Sequence, residues 1–221
     1  EVLAELAHSI GALLVVDNSL LSPVGSQPLK HGADISVSSA TKAIDGHGRV
    51  MGGVLAGSEE LMTQVAVYCN SCGLAMSPFN AWQLLSGVET LSLRMEKQFD
   101  NALKIAQWLQ QQPQVQAVYY TGLPDHPQAE LIRKQQNGGG IVIGFEVADQ
   151  EAAWKVVDGV ELFSRTANLG DVRSTITHPW TTTHGRMQPE EKLAANIRPG
   201  LIRLSRSEER RVGKECASMC R

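Results

Sequence analysis

The sequence predicts an α/β fold in two parts, a larger part ahead of a long helix and a smaller one behind it. Three observations carry this. The apolar run ALLVV at 12–16 reads as a strand buried on both faces, which is parallel-sheet material. Apolar residues then recur every three or four positions from Trp82 to Leu109, the pattern of a long helix that joins two domains. Beyond Pro113, strand-like and helix-like stretches alternate over short distances, as in a small α/β domain. A length of 221 residues suits one large domain or two small ones.

The elements follow in order. Residues 1–8 have apolar Val2, Leu3, Leu6 and Ala7 at helical spacing, and Gly11 closes that helix. The strand at 12–16 ends at Asp17. Pro23, Gly25, Pro28 and Gly32 make 18–32 a connection with at most a short helix. ADISVS at 33–38 is a second strand, 46–48 a loop, GGVLAG at 52–57 a third strand, and 59–68 a helix. Ser77 followed by Pro78 is a helix start, Ser as N-cap and Pro at the first helical position. The helix that begins there runs to about 112, with a bend at Gly87, and Pro113 stops it. Strands are expected at 115–120, 141–147 and 201–205, and helices at 128–136 and 151–157.

Composition excludes several classes. With 43% hydrophobic and 19% charged residues, a sizeable core can form and global disorder is ruled out. Only 5% of residues are aromatic, against a stacking surface for single-stranded nucleic acid, and a net charge of -3 argues against bulk attraction to phosphate backbones. No apolar run reaches 18 residues and no secretion signal is visible. Four cysteines are too few for a disulfide scaffold, so a reducing cytoplasm is the expected compartment.

Both ends read as cuts. The chain opens at Glu1 inside a helix. From Arg206 it reads RSEERRVGKECASMCR without apolar periodicity, and 206–216 can be encoded by a common short-read sequencing adapter. The expectation is that 206–221 is translated adapter and not native, the alternative being a solvated charge run.

The chemistry gathers at two strand ends. Asp17 closes the first strand, and Ser39, Ala40, Thr41 and Lys42 follow the second. Ligand sites collect at the C-terminal ends of parallel strands. A carboxylate, two hydroxyls and an amine meet the needs of pyridoxal 5'-phosphate. Its aldehyde takes a lysine amine as a Schiff base, its ring nitrogen needs an anion, and its phosphate needs short donors.

The stretch VVDNSLLSPVGSQPLKHGADISVSSATKAIDGHGRVMGG, from Val15 to Gly53, resembles the cofactor-lysine region of the Cys/Met-metabolism family of pyridoxal-phosphate enzymes. The similarity runs from Glu1 to Ser205, and SATK with the upstream VDN is its most specific part. It implies a fold type I PLP-dependent transferase, with 1–76 as part of the large domain, 77–112 as the linking helix and 113–205 as the small C-terminal α/β domain. It implies Lys42 as the catalytic Schiff-base lysine, Asp17 as the pyridinium partner, and Ser39 and Thr41 as phosphate ligands. LIRLS at 201–205 is similar to the segment whose Arg grips the substrate carboxylate, which makes Arg203 that anchor, and Ser174 matches a substrate-site serine. A guanidinium suits a bidentate pair that Lys could not make.

Within the family, IDGHGR (44–49), 73–95 and 168–186 are most similar to O-succinylhomoserine sulfhydrylases. That branch implies γ-replacement: O-succinylhomoserine and sulfide in, homocysteine and succinate out. Cystathionine γ-synthase, O-acetylhomoserine sulfhydrylase and γ-lyase chemistry are the alternatives, and a cofactor-free interaction module is the alternative of another class. Ala43 stands where the family often has Tyr, Ser38 where many have His, and Ser19 for the usual Thr. The resemblance also implies a homotetramer of dimers that share active sites, with the phosphate-covering glycine loop and the ring-stacking aromatic outside this chain.

Other motifs have plainer readings. Cys69 and Cys72 are one C-x-x-C without the second pair a structural zinc needs, so no metal is expected. Gly138, Gly139 and Gly140 precede a strand, as a turn or bulge, and are not a dinucleotide fingerprint. His178 and His184 suit hydrogen bonding in a loop, and Trp82, Met95 and Phe99 suit helix packing.

Overall fold

The computed structural model describes residues 1–207. Helix α1 (Val2–Ser9) leads to β1 (Val15–Asp17), then come the short α2 (Ser22–Gly25), β2 (Ile35–Ser39), β3 (Gly53–Gly57) and α3 (Glu59–Ser71). Strands β1 and β2 pair in parallel with Asp17 opposite Val37, and β3 closes the three-stranded sheet antiparallel to β2. The run at 12–16 is therefore a short edge strand and not a strand buried on both faces. Among the described residues β1 has a neighbour on one side only, and Leu13 and Val15 are more than half exposed.

The long periodic stretch is two helices, α4 (Pro78–Val88) and α5 (Leu91–Leu109). Ser77 caps α4 through the Asn80 N–H, as expected of Ser before Pro. The break falls at Glu89 and Thr90, just after Gly87, where α4 lies against the carbonyls of Ile44 and Asp45 so closely that a Cβ would collide with them. Along α5, Leu91, Met95 and Phe99 pack with Ala40, Ala43, Ile44 and Ile141. One turn further, Ala102, Ile105, Ala106 and Leu109 pack into a second core. Complete burial of an aliphatic side chain of this size contributes about 1.5–3 kcal/mol. Lys97, Asp100 and Lys104 pair on the outer face at i,i+3 and i,i+4 spacing. Trp82 does not join this packing. It is 61% exposed and tilts against Phe79 at 5.9 Å.

The second core sits under a five-stranded sheet in the order β4-β5-β8-β7-β6, formed by β4 (Ala117–Tyr119), β5 (Val142–Glu146), β6 (Ser164–Arg165), β7 (Thr175–Thr177) and β8 (Leu201–Ser205). Helices α6 (Ala129–Gln135), α7 (Gln150–Gly159) and α8 (Pro189–Ala194) complete this part. The sheet is antiparallel apart from β6 with β7. Sequence periodicity misses β6, β7 and α8, since two- and three-residue strands carry no period. Ile143, Phe145, Ile202 and Leu204 alternate inward from the two central strands. The glycine cluster is a close-packed turn, with Gly138 against the Phe99 ring and Gly139 against Gly122. Arg206 extends the ladder by donating its N–H to the Ile141 carbonyl at 2.8 Å. The rest of the expected non-native tail, from 208, lies outside the described residues.

Candidate active site

The two parts meet where β1 and β2 end. The Asp17 carboxylate accepts the Ser19 N–H at 2.8 Å, and the Ser19 hydroxyl accepts the Ser39 N–H at 2.7 Å. This chain of bonds ties the ends of the two strands together. The Ser19 hydroxyl and N–H hold the Asp17 carboxyl below the usual carboxylate range, so it stays an anion. Ser19, a departure from the usual Thr, thus keeps the hydroxyl that makes the link.

After Ser39 the backbone enters a wide turn, Ala40–Ile44, interrupted at Lys42, whose φ of −89° and ψ of −124° are non-helical. Within the turn Ala40, Ala43 and Ile44 are buried, while Lys42 is only partly so. The Lys42 ammonium donates to Asn168 Oδ1 at 3.3 Å. Asn168 begins a loop that sits directly on the lysine turn. Val172 N–H bonds to the Gly46 carbonyl at 2.7 Å, and Gly170, at φ +77°, lies so close to Lys42 and Ala43 that a Cβ would press on both.

The same loop reaches the other expected anchor. Arg203, in the middle of β8, donates from Nη2 to the Ala167 carbonyl at 2.7 Å. Its buried Nε has no partner, and desolvation lowers its pKa. An orphaned guanidinium N–H is a ready donor for an anion. The dipeptide Ala167–Asn168 therefore spans from the Arg203 guanidinium to the Lys42 amine.

Two expected ligands are less free. The Thr41 hydroxyl is engaged with the backbone of Gly52, accepting from its N–H at 3.1 Å and donating to its carbonyl at 3.3 Å. It must release that carbonyl before it can give its proton to a phosphate. The structure places Ser174 among Arg206 and Ser207, the first two residues of the stretch expected to be non-native. It is fully buried, and its hydroxyl is saturated by Arg206 Nη1, the Ser207 N–H and the Ser207 hydroxyl. His178 has the loop hydrogen-bonding part expected of it, with Thr181 on Nδ1 and the Pro199 carbonyl on Nε2.

Asp45 went unread in the sequence, although an Asp-Gly pair after a strand is a turn signal. It is fully buried and accepts the N–H groups of His47 and Arg49 and the Arg49 guanidinium. Burial pushes its carboxyl pKa up, but these bonds outweigh it and hold it below the ordinary value. A lowered native pKa stabilises the fold above the ordinary Asp range, and the contribution disappears as pH falls through the lowered value. Asp45→Asn is expected to flatten the acid limb of stability, measured by urea unfolding between pH 3 and 7. An acid limb as steep as in the parent would refute this.

The family model for Cys/Met metabolism PLP-dependent enzymes matches residues 1–211. The chain belongs to that family. As a family member it is 51% identical over 204 residues to an O-succinylhomoserine sulfhydrylase of Pseudomonas aeruginosa, covering 92% of this chain and 51% of that protein. It is 43% identical over 204 residues to a chloroplastic cystathionine beta-lyase of Arabidopsis thaliana, covering 92% of this chain and 44% of that one. Among solved structures, cystathionine gamma synthase from Xanthomonas oryzae pv. oryzae, in complex with aminoacrylate and cysteine, superposes with a TM-score of 0.93 at 39% identity. That match covers 99% of this chain and 57% of the synthase. The chain spans about half the length of the curated relatives it matches.

The residues present fit the pyridoxal phosphate of this family. An anion stands at the end of β1, an amine follows β2, and the Ser39 hydroxyl has no partner among the described residues. The unpaired Nε of Arg203 completes an acceptor-seeking wall.

Proposed function

We propose that this chain forms part of an O-succinylhomoserine sulfhydrylase, converting O-succinylhomoserine and sulfide into homocysteine and succinate. One observation carries the catalytic reading: Ala167–Asn168 joins the Arg203 guanidinium to the Lys42 ammonium, beside the Asp17–Ser19–Ser39 link. The 51% identity to the Pseudomonas aeruginosa relative supports the choice of reaction.

Asp17, Lys42 and Ser39 would hold the cofactor, with Thr41 joining once it leaves Gly52. The bound cofactor supplies an aldehyde that reacts with amines and a ring that stores an electron pair. Arg203 binds the substrate α-carboxylate through a planar fork of N–H donors, fixing Cα near Lys42. Lys42 takes the proton from Cα and moves protons at Cβ, a general base and then an acid. Asn168 Oδ1 orients Lys42 by accepting a hydrogen bond from its Nζ. Asp17 keeps a fixed negative charge at the strand end. At Cγ the bond to succinate breaks, and the carboxylate leaves with the electron pair. Sulfide then bonds to Cγ, a proton returns to Cβ and another to Cα, and the atoms balance as homocysteine plus succinate.

A homotetramer sharing sites between subunits belongs to the same proposal. No described helix is long and apolar enough to cross a membrane.

The test uses a protein carrying this chain at the full length of its relatives. With O-succinylhomoserine it is expected to make homocysteine from sulfide at least tenfold faster than cystathionine from cysteine. Faster cystathionine formation would instead favour the synthase reading, which the Xanthomonas oryzae structure makes the strongest competitor. Neither product would overturn both.

A further inference from the structure

We infer that Arg94 is a positioning residue for the Lys42 amine, an inference that rests on Lys42 being the cofactor lysine. Arg94 belongs to α5, is 6% exposed and reaches the lysine turn through its guanidinium. Its Nη1 donates to the Ala43 carbonyl at 2.8 Å, and its Nη2 to the carbonyls of Ile44 at 3.3 Å and Gly87 at 2.7 Å. Its Nε donates to the Thr90 hydroxyl at 3.0 Å, which aims the fork. Ala43 and Ile44 are the two residues directly after Lys42, so the guanidinium fixes the backbone on the C-terminal side of the lysine.

The surroundings are shaped for this contact. Gly46, at φ +66°, could carry no Cβ, because Arg94 Nη1 fills that space. Gly87 is equally bare where α4 meets the Ile44 and Asp45 carbonyls. On the N-terminal side of Lys42, the N–H groups of Ala40 and Thr41 both point to the Gly52 carbonyl. The lysine thus leaves a backbone clamped on both sides at a non-helical torsion. A small rotation at its Cα swings Nζ through a larger arc at the end of a four-carbon stem. Misplacing a reacting group by about 1 Å costs on the order of 100-fold in rate. A lysine in place of Arg94 keeps the charge but has no planar fork to reach three carbonyls together.

The test is Arg94→Lys in the full-length holoenzyme, with Thr90→Val as the milder variant that removes only the aiming hydroxyl. Arg94→Lys is expected to lower kcat tenfold or more with KM changed less than threefold. It is also expected to alter the visible circular dichroism per bound cofactor. Thr90→Val is expected to move both in the same direction by a smaller amount. A purely structural part for Arg94 would lower the melting temperature and leave both readouts at parent values in the folded fraction, and that result overturns the inference. If Arg94→Lys does not fold, Thr90→Val decides by the same two readouts. Borohydride labelling of the parent separates the two readings. Label on a lysine other than Lys42 overturns the assignment of Lys42 and this inference with it. Label on Lys42 with parent-like variants overturns this inference alone.

Discussion

Lys42→Ala in the full-length protein is expected to abolish turnover, by about 1,000-fold or more, since proton transfer by a placed side chain alone contributes about 100- to 10,000-fold. The same change should leave a protein whose cofactor washes out on dialysis and is no longer fixed by borohydride. The fold should survive, because Lys42 is only partly buried and its ammonium has an exchangeable partner in Asn168. Homocysteine formation and a peptide map after reduction read the result. Retained activity, or reduction that labels a different lysine in the parent, would remove Lys42 from the mechanism.

Arg203→Ala is the second large effect. Truncating one partner of a buried, hydrogen-bonded charge pair costs about 2–5 kcal/mol, roughly a 30- to 5,000-fold loss in kcat/KM. The loss should fall mainly on KM for the amino acid and leave sulfide saturation unchanged. Arg203→Lys should recover little, because an ammonium cannot reproduce the paired N–H donors. Thermal unfolding is the necessary control, since Arg203 lies between Gly144 and Thr177 in the centre of the sheet. Parent-like KM and kcat in a folded Arg203→Ala would show that another group receives the carboxylate.

The site was more legible than the sheet that carries it. Asp17, Ser39 and Lys42 could be picked out because chemistry fixes residue type at strand ends, and strand ends are marked by where apolar runs stop. Arg203 was singled out by resemblance alone, since one arginine inside a strand has no pattern of its own. Asn168 was not, because a single amide in a loop has no period and its meaning depends on a fold that brings residue 168 to residue 42. Arg94 was hidden for the opposite reason: in a helical pattern a charged residue reads as solvated, and here the turn after Lys42 and the end of α4 close over it. The surroundings of Ser174 were not legible, since Arg206 and Ser207, at the head of the expected non-native stretch, occupy its hydroxyl. The ALLVV run differs from the reading too: an apolar stretch reports what could be buried, and among the described residues this one lies at a sheet edge.

Helix α5 has a geometric consequence. Its first half is seated among Ala43 and Ile44, and its second half under the sheet that holds Arg203. One stiff rod thereby sets the gap between Lys42, the proposed proton carrier, and Arg203, the proposed carboxylate grip, as the bed of a calliper sets its jaws. Such a gauge measures how many carbons separate nitrogen from carboxyl in whatever enters. A β-amino acid isomer, longer by one carbon on that path, should be rejected even where its side chain fits.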